Sequence, residues 1–457
     1  MSDQSTTQAP VALAASVAAP APESGQPAAP VAGPTLDPAQ PTARRGSRNT
    51  VVLLVFTAIT NLADGVTKIA LPLLATRASA SPAQVSAVSL TLSLPWLLAA
   101  LHVGVLVDRL DRRRLLWGAN GLRLVALGAL MPLAAAGVVT IPVLCAAGLV
   151  LGIAEVIALT SASAMIPALT PPEGRERANT WIAGAETVCN EFAGPFVGGL
   201  LLAAGTGVAL GATWVSYLAA SLVVVLLVGR FRASGREGGR AAGKNAAPET
   251  VRVEIVDGLR YLWQHTLLRT MALILTVLCT CWGAWLALMP LFATSVMHLN
   301  PSEYGTLLSA LGVGGLVGAL AVTWLNRFFG RRWAMFADLV GTFAMMAVPA
   351  VTTDLWAVAV AAFLGGMGGT LWTVNARTMA QRLVPDAMLG RFGAVSRLFS
   401  WGAMPVGAGL MGLLAEWSGL RFAFGFFALT VALTVPPFLR VLTRPVLAEA
   451  FGDGRHA

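Results

Sequence analysis

Apolar stretches of about 20 residues recur along the chain from Val51 to Leu442, and each is long enough as a helix to cross the hydrocarbon core of a bilayer. Inside that core every backbone N–H and C=O needs a partner within the chain, which leaves helices or a closed barrel, and unbroken windows of this length are helical. The chain therefore reads as an all-α membrane protein. Composition agrees, because 12% of the 457 residues are charged and 56% are hydrophobic, whereas a water-soluble domain is about 25% charged. Soluble enzymes and soluble binding modules are excluded at this point.

Twelve windows are expected, at 51–76, 84–107, 115–137, 141–165, 178–203, 208–229, 271–296, 304–327, 333–352, 354–380, 391–416 and 420–441. Residues 1–48, rich in Ala, Pro, Ser, Thr and Gln, cannot bury enough apolar surface to order themselves and read as a disordered tail. Residues 49–229 then form one six-helix half, 230–269 a linker, 270–442 a second half and 443–457 a short tail.

The formal charge of +9 raises the question of nucleic acid, but position decides against it. With the N-terminus cytoplasmic, 26 of the 31 Lys/Arg fall in the tails and even-to-odd loops with their helix ends. Arg77 and Arg421 are on the other side, and Lys68, Arg123 and Arg397 lie within spans. This asymmetry is the positive-inside rule, placing both termini of a multi-pass cell-membrane protein in the cytoplasm. Cys145, Cys189, Cys279 and Cys281 sit within apolar segments without ligand spacing, so neither a disulfide framework nor a metal site is expected.

The linker ends in VRVEIVDGLRYLWQHTLLR, whose apolar residues come at near-helical spacing between charges, as in an amphipathic helix on the inner membrane face. It divides two related halves. An offset of 218 positions carries Gly65, Pro72, Leu73, Ala75 and Thr76 onto Gly283, Pro290, Leu291, Ala293 and Thr294, and Arg113-Arg114 onto Arg331-Arg332. With a small gap Pro195 meets Pro405. A parallel six-span repeat is the pattern of transporters whose halves rock around a central site.

After span 2 the chain reads GVLVDRLDRRRLL, with Gly104, Asp108, Arg109, Arg112 and Arg113 at fixed spacing and Asp111 where a glycine is usual. It resembles the loop 2–3 signature of the major facilitator superfamily. The resemblance implies an inner-gate latch, and Arg397, near the inner end of span 11, is an expected partner for Asp108. Gly194-Pro195-Phe-Val-Gly198-Gly199 resembles the core of the drug/proton antiporter motif of that superfamily. Its glycines permit close packing and its proline bends the helix. NLADGVTKIALPLLA at 61–75, MIPALTPPEGRERAN at 165–179 and the stretch 381–416 resemble the branch containing enterobactin exporters and macrolide efflux proteins. What this implies is the twelve-helix major facilitator fold and export from the cytoplasm, with the substrate left open.

Ionisable groups at bilayer depth are functional candidates. Asn61, Asp64 and Lys68 form one polar stripe on span 1, and Asp64 and Lys68 can pair at i, i+4. Counting 1.5 Å per residue puts Asp64, Glu155 and Glu191 roughly 20 Å deep and Glu186 roughly 12 Å. Glu186 and Glu191, about 140° apart on an ideal helix, are expected on different faces. Asp64, Lys68, Glu155, Glu186 and Glu191 are the expected proton-coupling set. The alternative is a self-neutralising Asp64–Lys68 pair, with the glutamates satisfied by Arg123 or backbone. Asn61, Trp282, Trp285, Asn375 and Trp401 are the expected substrate contacts, an aromatic wall with polar handles.

The leading expectation is a secondary transporter, a proton-coupled antiporter exporting a small amphipathic drug-like or natural-product molecule of antibiotic or siderophore type. It is expected to work as a monomer among membrane lipid, without cofactor and without nucleic acid. Sodium in place of protons, import of a metabolite, and a non-transporting receptor or assembly factor stay open as alternatives. Neither a catalytic constellation nor a phosphate-binding G-x-x-x-x-G-K-[ST] loop is present, so enzymatic activity is not expected.

Overall fold

Helix termini are written into the loops of this chain. A computed structural model describes residues 40–98, 102–103, 106–107, 110–170, 174–227 and 249–443. The described residues are helices and short connections, and Ala43–Ala457 form one unit distinct from Met1–Thr42. Before the linker the elements are α1 (Gln40–Ala78), α2 (Pro82–Leu98), α3 (Arg112–Ala135), α4 (Ile141–Leu169), α5 (Arg175–Thr187), a π-helical turn (Val188–Ala193), α6 (Gly194–Ala204) and α7 (Thr206–Val225). After it come α8 (Glu249–Gln264), α9 (Thr266–Ser295), α10 (Pro301–Phe328), α11 (Gly330–Val351), α12 (Leu355–Leu383), α13 (Asp386–Ser400), α14 (Ala403–Ser418), α15 (Leu420–Ala432) and α16 (Val435–Val441).

Asp111, which departs from the usual glycine, caps α3 by accepting from the backbone N–H groups of Arg113 and Arg114 at 3.0 and 3.3 Å. Asn300 and Glu303 close a capping box on α10, and Asp354 accepts from Ala357 N–H at the start of α12. Gly205 and Gly419, at φ +134° and +87°, end α6 and α14 with backbone conformations that a side chain would strain.

Eleven helical segments among the described residues are long and apolar enough to cross a membrane. The expected second span, 84–107, is covered by α2 as far as Leu98, and part of its remainder lies outside the described residues. Basic helix ends gather at one end of the bundle. Arg48 donates to Leu226 O, Arg112 to Ala164 O, Arg113 to Val225 O and Arg332 to Leu439 O. That end is called the basic end below. The amphipathic segment appears as α8, with Leu262 buried beside Leu268, Val384 and Phe392 and the Tyr261 hydroxyl donating to Leu383 O at 3.0 Å.

The segments before and after α8 meet along two seams, α2 against α9 and α14, and α6 with the π turn against α10. Glycines set both approaches. A Cβ on Gly412 would run into the Ser86 side chain, and one on Gly199 into the Gly305 carbonyl. Such backbone proximity is how helices associate where lipid supplies no hydrophobic drive.

Candidate functional site

Between the seams lies a cavity of about 620 Å³. Its lining reaches the basic end at Asn179, Leu268 and Gln381, but towards the opposite end it stops at Ile69, Ser89 and Leu311, about two turns or more short of the helix termini. Among the described residues the cavity therefore extends to the basic end and stops short of the other.

Beside it runs a buried charge network confined to the segment before α8. The Arg123 guanidinium on α3 pairs with Asp64 on α1, and Asp64 also accepts from the Tyr217 hydroxyl of α7 at 2.6 Å. Arg123 and Tyr217 are wholly buried, Arg123 donates to Asn120 Oδ1 at 3.1 Å, and its guanidinium lies 5.0 Å from the Tyr217 ring centre. The Lys68 ammonium bonds Glu155 Oε1 on α4 at 2.7 Å and Asn190 Oδ1 at 3.1 Å. Asn190 extends the Lys68–Glu155 pair, donating to Asn61 Oδ1 at 3.1 Å and Glu155 Oε1 at 3.2 Å.

This corrects the expected Asp64–Lys68 pairing. Positions i and i+4 diverge by about 40° around a helix, enough here to send Asp64 to α3 and α7 while Lys68 reaches α4 and the cavity. Arg123 accordingly serves Asp64, not the glutamates. Asn61 and Asp64, 1% and 5% exposed, lie behind the cavity wall.

The π turn explains a second departure. Pro195 has no N–H to give to Glu191 O, and Gly194 N–H instead reaches back to Cys189 O, so one turn widens. The wider turn changes the angular register between Glu186 and Glu191, and both line the cavity where different faces were expected. Neither makes an ion pair or hydrogen bond among the described residues. Arg377 and Arg397 line the same cavity.

Of the expected aromatic wall, Trp282 and Trp401 are in place, with Trp401 packed on Trp96 at 5.4 Å between ring centres and 5.0 Å from the Lys68 ammonium. Trp285 and Asn375 are not. Trp285 is fully buried in the core, about 60° round the helix from Trp282, and Asn375 exchanges two hydrogen bonds with Asn326 on α10, at 2.9 and 3.1 Å. Sequence reasoning missed Asn190, Tyr217, Trp96 and Trp372, uncharged residues that carry no depth signal among many others. Asp338 on α11 also lines the cavity and accepts from Thr342 at 3.1 Å.

The antiporter-like motif is a packing device with three contacts. A Cβ on Gly194 would come within 2.7 Å of Gly65 Cα, one on Gly198 within 3.4 Å of Val66 Cα, and Gly199 abuts Gly305. Gly283, 218 positions after Gly65, abuts Met404, the residue before Pro405, as Gly194 is the residue before Pro195. In the latch, Arg112 and Arg113 bond helix-end carbonyls, while Gly104, Asp108 and Arg109 lie outside the described residues. Arg397 is exposed at the cavity.

The sequence pattern of a family described as transmembrane secretion effector matches residues 47–450. The multidrug efflux pump Tap of Mycolicibacterium fortuitum is 29% identical over 410 residues, 86% of this chain and 94% of that one. Among solved structures, the nucleoside transporter NupG is similar with a TM-score of 0.64 at 11% identity, covering 86% of this chain and 99% of that one. A bacterial homologue of the iron transporter ferroportin, in its inward-facing state, gives 0.63 at 18% identity, covering 87% and 99%.

Proposed function

As the chain belongs to the transmembrane secretion effector family of the major facilitator superfamily, we propose that it is a proton-coupled antiporter. Its cargo is a small amphipathic drug-like or natural-product molecule, exported by alternating access between two six-helix halves. The basic end faces the cytoplasm with both termini, and the protein works as a monomer in the cell membrane. The observation that carries this reading is the cavity reaching one end only, bordered by a charge network that belongs to one half. The recurrence of the Gly65–Gly194 crossing as Gly283–Met404, and of the Gly205 turn as Gly419, supports two halves of like construction.

Charge chemistry supports protons as the coupling ion. Lys68 and Arg123 already occupy the network's carboxylates as cations, leaving poor room for sodium there. A proton on Glu155 would release Lys68, with Asn190 able to rebond either partner through its amide. Glu191 and Glu186 open the cavity side of the same helix to cargo and protons. Trp282 and Trp401 offer ring faces to an amphipathic molecule, and Trp96 enlarges that surface. The name of the Tap relative as an efflux pump favours export over import.

The expected result is that Asp64→Asn, Glu155→Gln and Glu191→Gln each lower proton-driven efflux by at least about tenfold, the scale on which a buried charged partner acts. Cargo binding to the purified variants should persist. The measurement is paired, cargo efflux and proton movement in the same proteoliposomes. Wild-type coupled transport in all three variants would remove these acids from the mechanism.

A further inference from the structure

At the end opposite the basic one, a carboxylate of the second half completes a helix of the first. Helix α2 begins at Pro82, which has no N–H, so its first donors are Ala83, Gln84 and Val85. Gln84 N–H bonds Ser81 Oγ at 3.3 Å and Val85 N–H bonds Ser81 O at 3.0 Å. Ala83 N–H bonds Glu416 Oε2 of α14 at 3.1 Å, and the Ser81 hydroxyl donates to the same oxygen at 2.8 Å. One oxygen atom thus collects two bonds from the other half, 335 and 333 residues away in sequence.

We infer that Glu416 is the outer gate latch, holding the end opposite the cavity mouth closed by capping α2 across the seam. The inference rests on the alternating-access reading above. Several features converge on it. Among the described residues, Glu416 is the only carboxylate with a hydrogen bond running from one half to the other. It sits one turn beyond Gly412, whose missing side chain admits Ser86 to the same seam. On the far seam the corresponding bond, Ser309 Oγ to Phe196 O, is long at 3.5 Å and neutral. Bonds to a charged acceptor are the stronger kind, so the α2–α14 side carries the directional hold and the α6–α10 side the glycine contact. When the outer end opens, Ala83 loses its acceptor and the Glu416 carboxylate goes to water, both tolerable at an end where water is available. Glu416 is exposed and Ser81 and Ala83 are partly so, which lets the latch break and remake in every cycle.

The test is amide hydrogen exchange on the full chain in lipid nanodiscs, comparing Glu416→Ala with Glu416→Gln, whose amide oxygen still accepts. In Glu416→Ala, exchange should rise about tenfold at Ala83–Val88 and also across the distant Gly199–Gly305 seam. Protection should grow at Asn179–Glu186 as the cavity mouth narrows. Glu416→Gln, which keeps an acceptor and loses the charge, should fall between wild type and Glu416→Ala. A rise confined to the first turn of α2, no rise at all, or a Gln variant as fast as Ala overturns the latch. Failure of the underlying reading is distinguishable. In that event the Gly199–Gly305 seam of the wild-type protein never opens short of global unfolding, with or without cargo.

Discussion

Replacing Arg123 by Met is expected to abolish efflux and to destabilise the protein by about 3–5 kcal/mol, the cost of breaking a buried ion pair by removing one partner. Asp64 has two donors, Arg123 and Tyr217, and is 5% exposed. Without the guanidinium, a carboxylate keeps one neutral hydrogen bond in a site with almost no access to water. The double variant Arg123→Met, Asp64→Asn should recover most of the lost stability, because removing both charges of a buried pair is often close to neutral. Efflux should stay absent in the double variant if Asp64 takes part in coupling. Thermal unfolding of the purified proteins reads the first effect and proteoliposome efflux the second. A single variant that melts with the wild type would show that the pair does not hold the half together.

The second large effect is steric. Gly199→Leu is expected to reduce transport at least tenfold, on the overpacking scale of about 1–3 kcal/mol, because the Cβ would meet the Gly305 carbonyl, Ser309 N and Ser309 Oγ. Backbone cannot move aside as the end of a long side chain can. The control is Gly207→Leu, eight residues on, where a Cβ meets nothing within 4 Å. Its transport and expression should stay near wild type. Equal losses in the two variants would mean that the α6–α10 seam has no special role, and the comparison needs only parallel efflux assays at matched membrane levels.

Much of the fold was legible because a bilayer removes most alternatives. Helix positions follow from apolar length, and the common end of the bundle from Arg112, Arg113, Arg332 and their neighbours. Gly65 and Gly283, which the sequence matches at an offset of 218, both sit at close backbone crossings where a Cβ would collide. What stayed hidden is rotation. Nothing in NLADGVTK says that Asp64 faces α3 and α7 while Lys68 faces α4, and the i, i+4 rule, true of an isolated helix in water, joined the wrong partners. Asn190 and Tyr217 were hidden for a different reason. A neutral polar residue in an apolar span is common, and its value appears only when two other helices bring charges to it. The π turn was half legible, since GPxxGG marks a bend but does not say that the residues just before it change register.

That turn also gives neighbouring positions unlike duties. Asn190, 4% exposed, touches the cavity but spends its amide on Lys68 and Glu155, while Glu191, the next residue, lines the same cavity without a hydrogen bond among the described residues. A peptide bond is all that separates the amide engaged by Lys68 and Glu155 from a cavity-lining carboxylate. Rotation of this short segment would therefore move a residue of the network and its cavity-lining neighbour together. Deleting one residue from Val188–Ala193 would turn the residues on either side of the cut by about 100° relative to one another, and so part the network from the cavity face.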